Sequence, residues 1–290
     1  MSQALKWDVT GTLEQARRDL KVAGMANQLL ALMIGNPIAQ VKAPAMLNPR
    51  FEADGIPVRM ISIELPVDDF DAAYREALSF PDVVAAVITV PFKVPALKFC
   101  TTLDRNAELA GATNLMMRSR DGGWTGSMTD GQGFLTALKA AGFDPMGRRV
   151  YMAGAGGAGS GIAAALLLSG IAALDVYDPE EEKSKRLAAA LGITCLAEPP
   201  GNLSGYDLLI NATPLGLKER DPLPFDLSTA APDAFVGDVI AEPECTRLRA
   251  LAAQRGLKSI GGLDMLRRQI DALYQGVVKA VQDNIEGGKG

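Results

Sequence analysis

The run Gly154-Ala155-Gly156-Gly157-Ala158-Gly159 satisfies G-x-G-x-x-G between an apolar stretch, Val150 to Ala153, and a helical pattern, Ala158 to Ser169. In that setting the first glycine makes a tight turn, the second lets a pyrophosphate approach the backbone, and the third lets helix and strand pack closely. Unpaired N–H groups and the positive dipole end of the helix would hold the phosphates. Gly154, Gly156, Gly157, Ala158 and Gly159 are therefore the candidate dinucleotide cradle, the alternative being a merely tight βα turn. Asp178 closes the next strand pattern, where a carboxylate can accept hydrogen bonds from an adenosine ribose. Glu180, Glu181 and Glu182 follow it and would repel a 2′-phosphate, and no arginine stands there to clamp one. The expected cofactor is thus NAD, preferred over NADP. The competing reading makes Asp178 a helix N-cap and the glutamates complements of the helix dipole.

The chain contains no histidine. That excludes Ser-His-Asp and Cys-His hydrolysis, histidine metal sites and imidazole acid-base chemistry, so proton transfer falls to Lys, Asp, Glu, Tyr or Cys. Cys100, Cys195 and Cys245 are far apart and odd in number, which indicates neither a CxxC pair nor a disulfide framework and fits a reducing cytoplasm. No metal site is expected.

A cradle of this kind needs strands and helices around it, and the chain supplies them in alternation, the pattern of α/β architecture. At 290 residues it has room for two domains, each with its own core. A net charge of −5 and a pI near 5.0 argue against nucleic acid as a partner. Val150 to Leu174 is uncharged and long enough to span a bilayer, but its clustered glycines read as strand, turn and buried helix, so no membrane association is expected. Met1 to Leu20 mixes Lys6, Asp8, Glu14, Arg17 and Arg18 through its length, unlike a signal peptide, and reads as a polar helical leader. Expected strands are Leu29 to Ile34, Val58 to Ile63 and Val83 to Val90, with helices at Asp69 to Ala77 and Leu103 to Ala110. A strand pair follows, Asn114 to Arg118 and Trp124 to Gly126, then a connecting helix, Thr129 to Ala141. From Val150 the pattern restarts: helices Ala158 to Ser169 and Glu181 to Leu191 alternate with strands at 150–153, 174–177, 193–196, 208–210 and 235–239. Leu263 to Asn284 reads as a long amphipathic helix, and 287–290 as a frayed end.

Several segments occur in a telling order: Gly35-Asn36-Pro37-Ile38-Ala39, Thr89-Val90-Pro91-Phe92-Lys93, Gly111-Ala112-Thr113-Asn114, Thr129-Asp130-Gly131-Gln132-Gly133-Phe134, the glycine loop, Asn211-Ala212-Thr213-Pro214-Leu215-Gly216, Asp238-Val239 with Pro243 and Thr246, and Gly261 to Gln269. Together they resemble the shikimate dehydrogenase family, quinate/shikimate members included, over nearly the whole chain. The resemblance implies a two-domain α/β enzyme: an N-terminal α/β substrate domain, 1–127, a C-terminal Rossmann NAD-binding domain, 128–262, and a C-terminal helix, 263–290, packing back on the first domain. Chemistry would occur in a cleft between the domains. It also implies that Lys93 and Asp130 act together at the substrate hydroxyl, that Thr89, Asn114 and Gln269 bind substrate, and that Asn211, Ala212, Thr213, Pro214, Val239 and Gly262 join the cofactor site. A lysine base suits an alcohol oxidation in a chain without histidine. The structural alternatives are an ordinary surface lysine at Lys93 and a strand-edge turn residue at Asn114.

The resemblance breaks at one place. Where the family continues its first motif with His-Ser-Lys-Ser-Pro, this chain reads Gln40-Val41-Lys42-Ala43-Pro44. The two serines implied to hold a carboxylate are absent, so Gln40, Val41 and Ala43 mark an altered substrate site. Val87, Met128 and Ala241 likewise replace an asparagine, a second asparagine and a tyrosine. A site stripped of polar groups binds a polar ligand poorly. The expected activity is hydride transfer between NAD and a secondary ring alcohol, shikimate, quinate or a less polar analogue. The rivals are an NAD-binding sensor with little catalysis and a pterin-linked dehydrogenase. The expected partner is a small-molecule cyclic alcohol or hydroxy acid, with a homodimer left open.

Overall fold

The computed structural model describes residues 8–22 and 28–287; Lys6 of the leader and, of the expected frayed end 287–290, residues 288–290 lie outside them. The described chain forms two compact units. One comprises residues up to Asp104, Ala112–Ser127 and the chain from Ala272 onward; the other comprises Arg105–Gly111 and Met128–Asp271.

The first unit opens with helix α1 (Val9–Val22), followed by strand β1 (Leu29–Gly35), helix α2 (Ala43–Ala53), strand β2 (Val58–Glu64), helix α3 (Phe70–Ser79) and strand β3 (Val83–Ile88). Strand β4 (Thr102–Leu103) precedes helix α4 (Arg105–Ala110) of the second unit, and the hairpin strands β5 (Leu115–Arg118) and β6 (Trp124–Ser127) complete the sheet. Its order is β2-β1-β3-β5-β6-β4. Strands β2, β1 and β3 are parallel, and β5 runs antiparallel to β3. All six residues of β3 are buried, as expected where both faces of a parallel strand are covered. Phe70, Ala73, Tyr74, Ala77 and Leu78 form one buried stripe at helical spacing on α3. Helix α2, absent from the sequence expectations, starts at Ala43 and contains Pro49; Asn48 fixes it to β2 by two hydrogen bonds with the backbone of Met60, at 2.9 and 2.8 Å.

The second unit continues with helix α5 (Asp130–Ala140), strand β7 (Arg149–Ala153), helix α6 (Gly157–Leu168), strand β8 (Ala173–Tyr177), helix α7 (Glu181–Leu191), strand β9 (Thr194–Cys195), strand β10 (Leu208–Asn211), strand β11 (Phe235–Asp238), helix α8 (Arg247–Gln254), strand β12 (Ser259–Ile260) and helix α9 (Gly262–Gly287). The sheet is parallel throughout, in the order β12-β11-β10-β7-β8-β9. The chain winds outward from β7 to β9, then restarts on the other side at β10. That is a doubly wound Rossmann topology, with its switch point between the carboxyl ends of β7 and β10. The uncharged stretch from Val150 becomes β7, the glycine loop and α6, and among the described residues no helix is long and apolar enough to cross a membrane. From Ala272 onward α9 belongs to the first unit, where Tyr274 stacks on Phe51 with ring centres 5.3 Å apart and its hydroxyl donates to Asp54 at 2.5 Å.

Candidate active site

The glycine loop sits at the switch point, and each glycine has a distinct steric reason to be there. Gly154 has φ +103°, and a Cβ on it would lie 2.6 Å from the carbonyl carbon of Ala212. A side chain at Gly159 would meet the carbonyl oxygen of Gly154 at 2.4 Å. Gly156, the N-cap of α6, faces open space, so a ligand can reach its backbone. The first α-helical bond of α6 is donated by Ser160 N–H to Gly156, leaving the N–H groups of Gly157, Ala158 and Gly159 ahead of it for an anion. These residues fit a pyrophosphate.

The opposite wall of the switch point is built by side chains. Asn211 ends β10, and its amide donates to Leu215 O at 2.9 Å and to Asp238 Oδ1 at 3.0 Å. Its Oδ1 accepts the N–H and the hydroxyl of Thr213, at 3.1 and 2.6 Å. Asp238 is buried and also accepts from Thr246 Oγ1 at 2.6 Å, while Thr246 caps α8 through Arg249 N–H. Burial pushes the Asp238 carboxyl above its ordinary range, against the pull of these donors. The network shapes the backbone at 212–214 without facing solvent. Val239 N–H donates to Asn211 O at 3.0 Å, and Gly262 is required beside it because a Cβ there would lie 2.3 Å from Val239 O.

Asp178 hydrogen-bonds to the glycine loop and does not cap α7. Its Oδ2 accepts Ala155 N–H of the glycine loop at 2.8 Å and its Oδ1 accepts Glu180 N–H at 2.9 Å. The N-cap of α7 is Glu180, so Asp178 braces the loop rather than capping the helix.

Asp130 heads α5 and is 3% exposed. Helix α5 crosses α6 closely, since a Cβ on Gly131 would lie 2.1 Å from Gly161 O, and one on Gly161 would lie 3.5 Å from Asp130 Cβ. The same helix that opens with the glycine cradle therefore packs against the start of α5, beside Asp130. Gln269, expected at the substrate, donates Nε2–H to Asp130 Oδ1 at 2.6 Å and to Thr129 Oγ1 at 2.9 Å. Thr129 and Gly133 carried no site assignment in the sequence; the signal was two glycines, Gly131 and Gly133, inside a helical pattern, which mark close approach. Met128 is buried against α6, where a Cβ on Gly161 would meet its Cγ at 2.9 Å.

In the first unit, Lys93 follows a deeply anchored turn. Phe92 is buried and stacks on Phe70 with ring centres 4.3 Å apart; its N–H donates to Thr89 O at 3.0 Å, and Thr113 N–H donates to Lys93 O at 2.8 Å. Asn114 is buried and accepts Ile88 N–H at 2.8 Å through its backbone. Gly35 makes room for Thr89, whose Cγ2 would lie 2.4 Å from an added Cβ. Thr89, Lys93 and Asn114 are thus gathered at the carboxyl end of β3. The 36–43 loop joins them through Asn36 N–H, which donates to Val90 O at 3.0 Å. Gln40 turns its amide onto Pro37 O at 2.9 Å, Val41 is half-buried, and Ala43 is buried at the start of α2.

A family model described as the shikimate dehydrogenase substrate binding domain matches residues 33–116. The chain is 34% identical to shikimate dehydrogenase (NADP(+)) of Rubrobacter xylanophilus over 258 residues, which cover 84% of this chain and 87% of that protein. Among solved structures, 5-ketofructose reductase of Gluconobacter sp. superposes with a TM-score of 0.75 at 28% identity, covering 90% of this chain and 98% of that one. Shikimate 5-dehydrogenase of Thermus thermophilus in complex with NADP(H) and shikimate gives a TM-score of 0.75 at 28% identity, covering 90% and 100%. The Rubrobacter relative and four others are named NADP(+) enzymes, which overturns the expected preference for NAD over NADP. The expectation rested on Asp178 and on Glu180 to Glu182 as a cluster repelling a 2′-phosphate, but Glu180 pairs with Lys183 and Glu181 with Lys185, which offsets that negative charge. The motifs, the doubly wound unit and one-third identity across most of the sequence agree: the chain belongs to the shikimate dehydrogenase family.

Proposed function

We propose that the protein is an NAD(P)-dependent dehydrogenase that interconverts a secondary ring alcohol and its ketone, with Lys93 and Asp130 handling the hydroxyl proton. The observation that carries this reading is the buried Asp130, set at the start of α5 where that helix packs against α6, the helix that opens with the glycine loop. Gly154, Gly156, Gly157, Ala158 and Gly159 would hold the pyrophosphate, and Asn211 to Pro214, Val239 and Gly262 would line the rest of the cofactor site. A bound nicotinamide dinucleotide supplies the hydride acceptor for oxidation and the donor for reduction. In oxidation, Lys93 as the free amine takes the hydroxyl proton; in reduction, its ammonium returns that proton to the carbonyl oxygen. Asp130 orients the hydroxyl and balances the ammonium charge. Thr89 and Asn114 bind ring hydroxyls.

The substrate is a less polar relative of shikimate or quinate. Val41 and Ala43 present hydrocarbon where the family pattern has hydroxyls, and Val87 and Met128 are buried apolar residues. The solved Gluconobacter relative is named for a ketosugar, a substrate without a carboxylate. A non-catalytic sensor draws no support from relatives named as dehydrogenases. The test is a screen of shikimate, quinate and neutral ring alcohols with NADP and NAD, read by NAD(P)H absorbance and by thermal shift. Turnover with at least one alcohol is expected. A ligand at 100 times its Kd adds about 2.7 kcal/mol of stability, so alcohols that raise Tm without any reduction of the dinucleotide would show binding without catalysis.

A further inference from the structure

Gln269 meets the protein with the end of its side chain that a substrate carbonyl would need. Its Nε2 lies 2.6 Å from Asp130 Oδ1 and 2.9 Å from Thr129 Oγ1. A carboxylate can only accept hydrogen bonds, so chemistry fixes the amide with nitrogen, not oxygen, toward Asp130. The two N–H groups have two acceptors. What Gln269 can still offer is Oε1, which can accept from a hydroxyl but can donate to nothing. We infer that Gln269 is a positioning residue for Asp130 and that Gly133 sets the distance at which it acts; this rests on the dehydrogenase reading above.

The geometry behind this is a clamp on α5. On one side Gly131 lets α6 approach, and on the other Gly133 lets α9 approach: a Cβ at Gly133 would lie 2.8 Å from Gln269 Cβ and 2.8 Å from Met265 O. Any side chain at 133 would push against the backbone that carries Gln269. Gln269 is itself 7% exposed, so its amide gains little from solvent if it leaves Asp130. Holding Oδ1 fixes the rotation of the carboxylate and therefore the direction in which Oδ2 points. A general acid-base partner misplaced by about 1 Å can cost roughly 100-fold in rate, so this hold is worth having at the reacting hydroxyl. A glutamine that served substrate binding alone would need neither a glycine beneath it nor a carboxylate at its nitrogen.

The test uses the full-length enzyme with whichever of shikimate, quinate and trans-1,2-cyclohexanediol the wild type oxidises fastest. Gln269→Leu keeps the volume and removes the amide; it is expected to lower kcat about 10- to 100-fold while KM for the alcohol moves less than about threefold. Gly133→Ala should give the same signature, more weakly. Gln269→Glu is nearly isosteric. At pH 8 it sets one carboxylate against another and should lose kcat; toward about pH 5.5 it should recover relative to wild type, because a protonated carboxyl can donate to Asp130 where the amide did. A kcat within about threefold of wild type in Gln269→Leu, whatever KM does, overturns the inference. If that variant fails to fold, Gln269→Glu decides alone: a pH-dependent recovery supports the inference, and a loss that stays flat with pH, or no loss, overturns it. Asp130→Asn separates the two readings. Retained turnover there would defeat the role of Asp130 in proton transfer on which the inference rests, whereas lost turnover there beside an unaffected Gln269→Leu would defeat only the positioning role.

Discussion

The glycine loop after β7 and the 36–43 loop after β1 both close a parallel strand, and each holds its shape by a different means. At 154–159 the shape is backbone: φ +103° at Gly154 and approaches of 2.4 to 2.6 Å that no side chain would permit. At 36–43 it is side chains bonded to backbone, with Asn36 Nδ2 donating to Leu65 O at 2.8 Å, Glu64 Oε2 accepting Ile38 N–H at 2.9 Å, and Gln40 Nε2 donating to Pro37 O at 2.9 Å. None of those bonds is made by the side chain of Val41 or Ala43. A backbone-built site recognises what every dinucleotide shares, and changing it breaks the fold locally. A site whose specificity rests on side chains outside the scaffold can change substrate while the loop stays put. The family motif is complete in the first loop; in the second it holds through Ala39 and departs at Gln40, Val41 and Ala43.

That contrast can be broken most forcefully at the proposed dyad. Lys93→Ala and Asp130→Asn should each lower kcat by about 10² to 10⁴ with dinucleotide affinity nearly unchanged, as steady-state kinetics and cofactor titration by NADPH fluorescence will show; near-normal turnover in both sinks the assignment. Next in size is Gly154→Ala. An L-residue at φ +103° is strained, and its Cβ would strike Ala212, so dinucleotide Kd should rise at least about tenfold. Unchanged cofactor binding in this variant would mean that the cradle is not the phosphate site. The smallest effect concerns thiols. Burial pushes the Cys100 thiol up to about 12, so near pH 8 it carries almost no thiolate, whereas Cys245 is exposed. Titration with a disulfide reagent should modify Cys245 first and leave Cys100 unreacted until the protein unfolds.

Legibility in the sequence follows the same division. Strands β1, β3 and β7 are continuous apolar runs, and α3 and α7 have regular stripes or charged first turns, so they can be read directly. Helix α2 cannot, because Pro49 in its interior argues against a helix and its buried residues, Ala43, Leu47 and Phe51, make only a thin stripe. Helix α8 hides behind Thr246, whose capping oxygen 3.2 Å from Arg249 N–H looks like any loop threonine in the sequence. In the site, the glycine loop is a local pattern and was legible. The partner of Asp130 lies 139 positions away, and no local rule links Gln269 to it. Asp178 shows the same limit: nothing local in the sequence says that this strand-end carboxylate accepts Ala155 N–H of the glycine loop, 23 positions away.

The most direct measurement is kcat/KM for shikimate at saturating NADP in the wild type and in Val41→Ser/Ala43→Ser. Each hydroxyl bonded to a charged group contributes about 1.5 to 3 kcal/mol, so two absent hydroxyls weaken carboxylate binding by roughly 10² to 10⁴. The wild type is expected to show a high KM for shikimate and little discrimination against analogues without the carboxylate, and the double variant a substantially lower KM. Val87, Met128 and Ala241 would hold the gain below the full value by leaving other hydroxyls unmatched. A micromolar KM for shikimate in the wild type would contradict the account, since the carboxylate would then be held by another group, Lys42 or Gln40 first among them, and the substrate would not have changed.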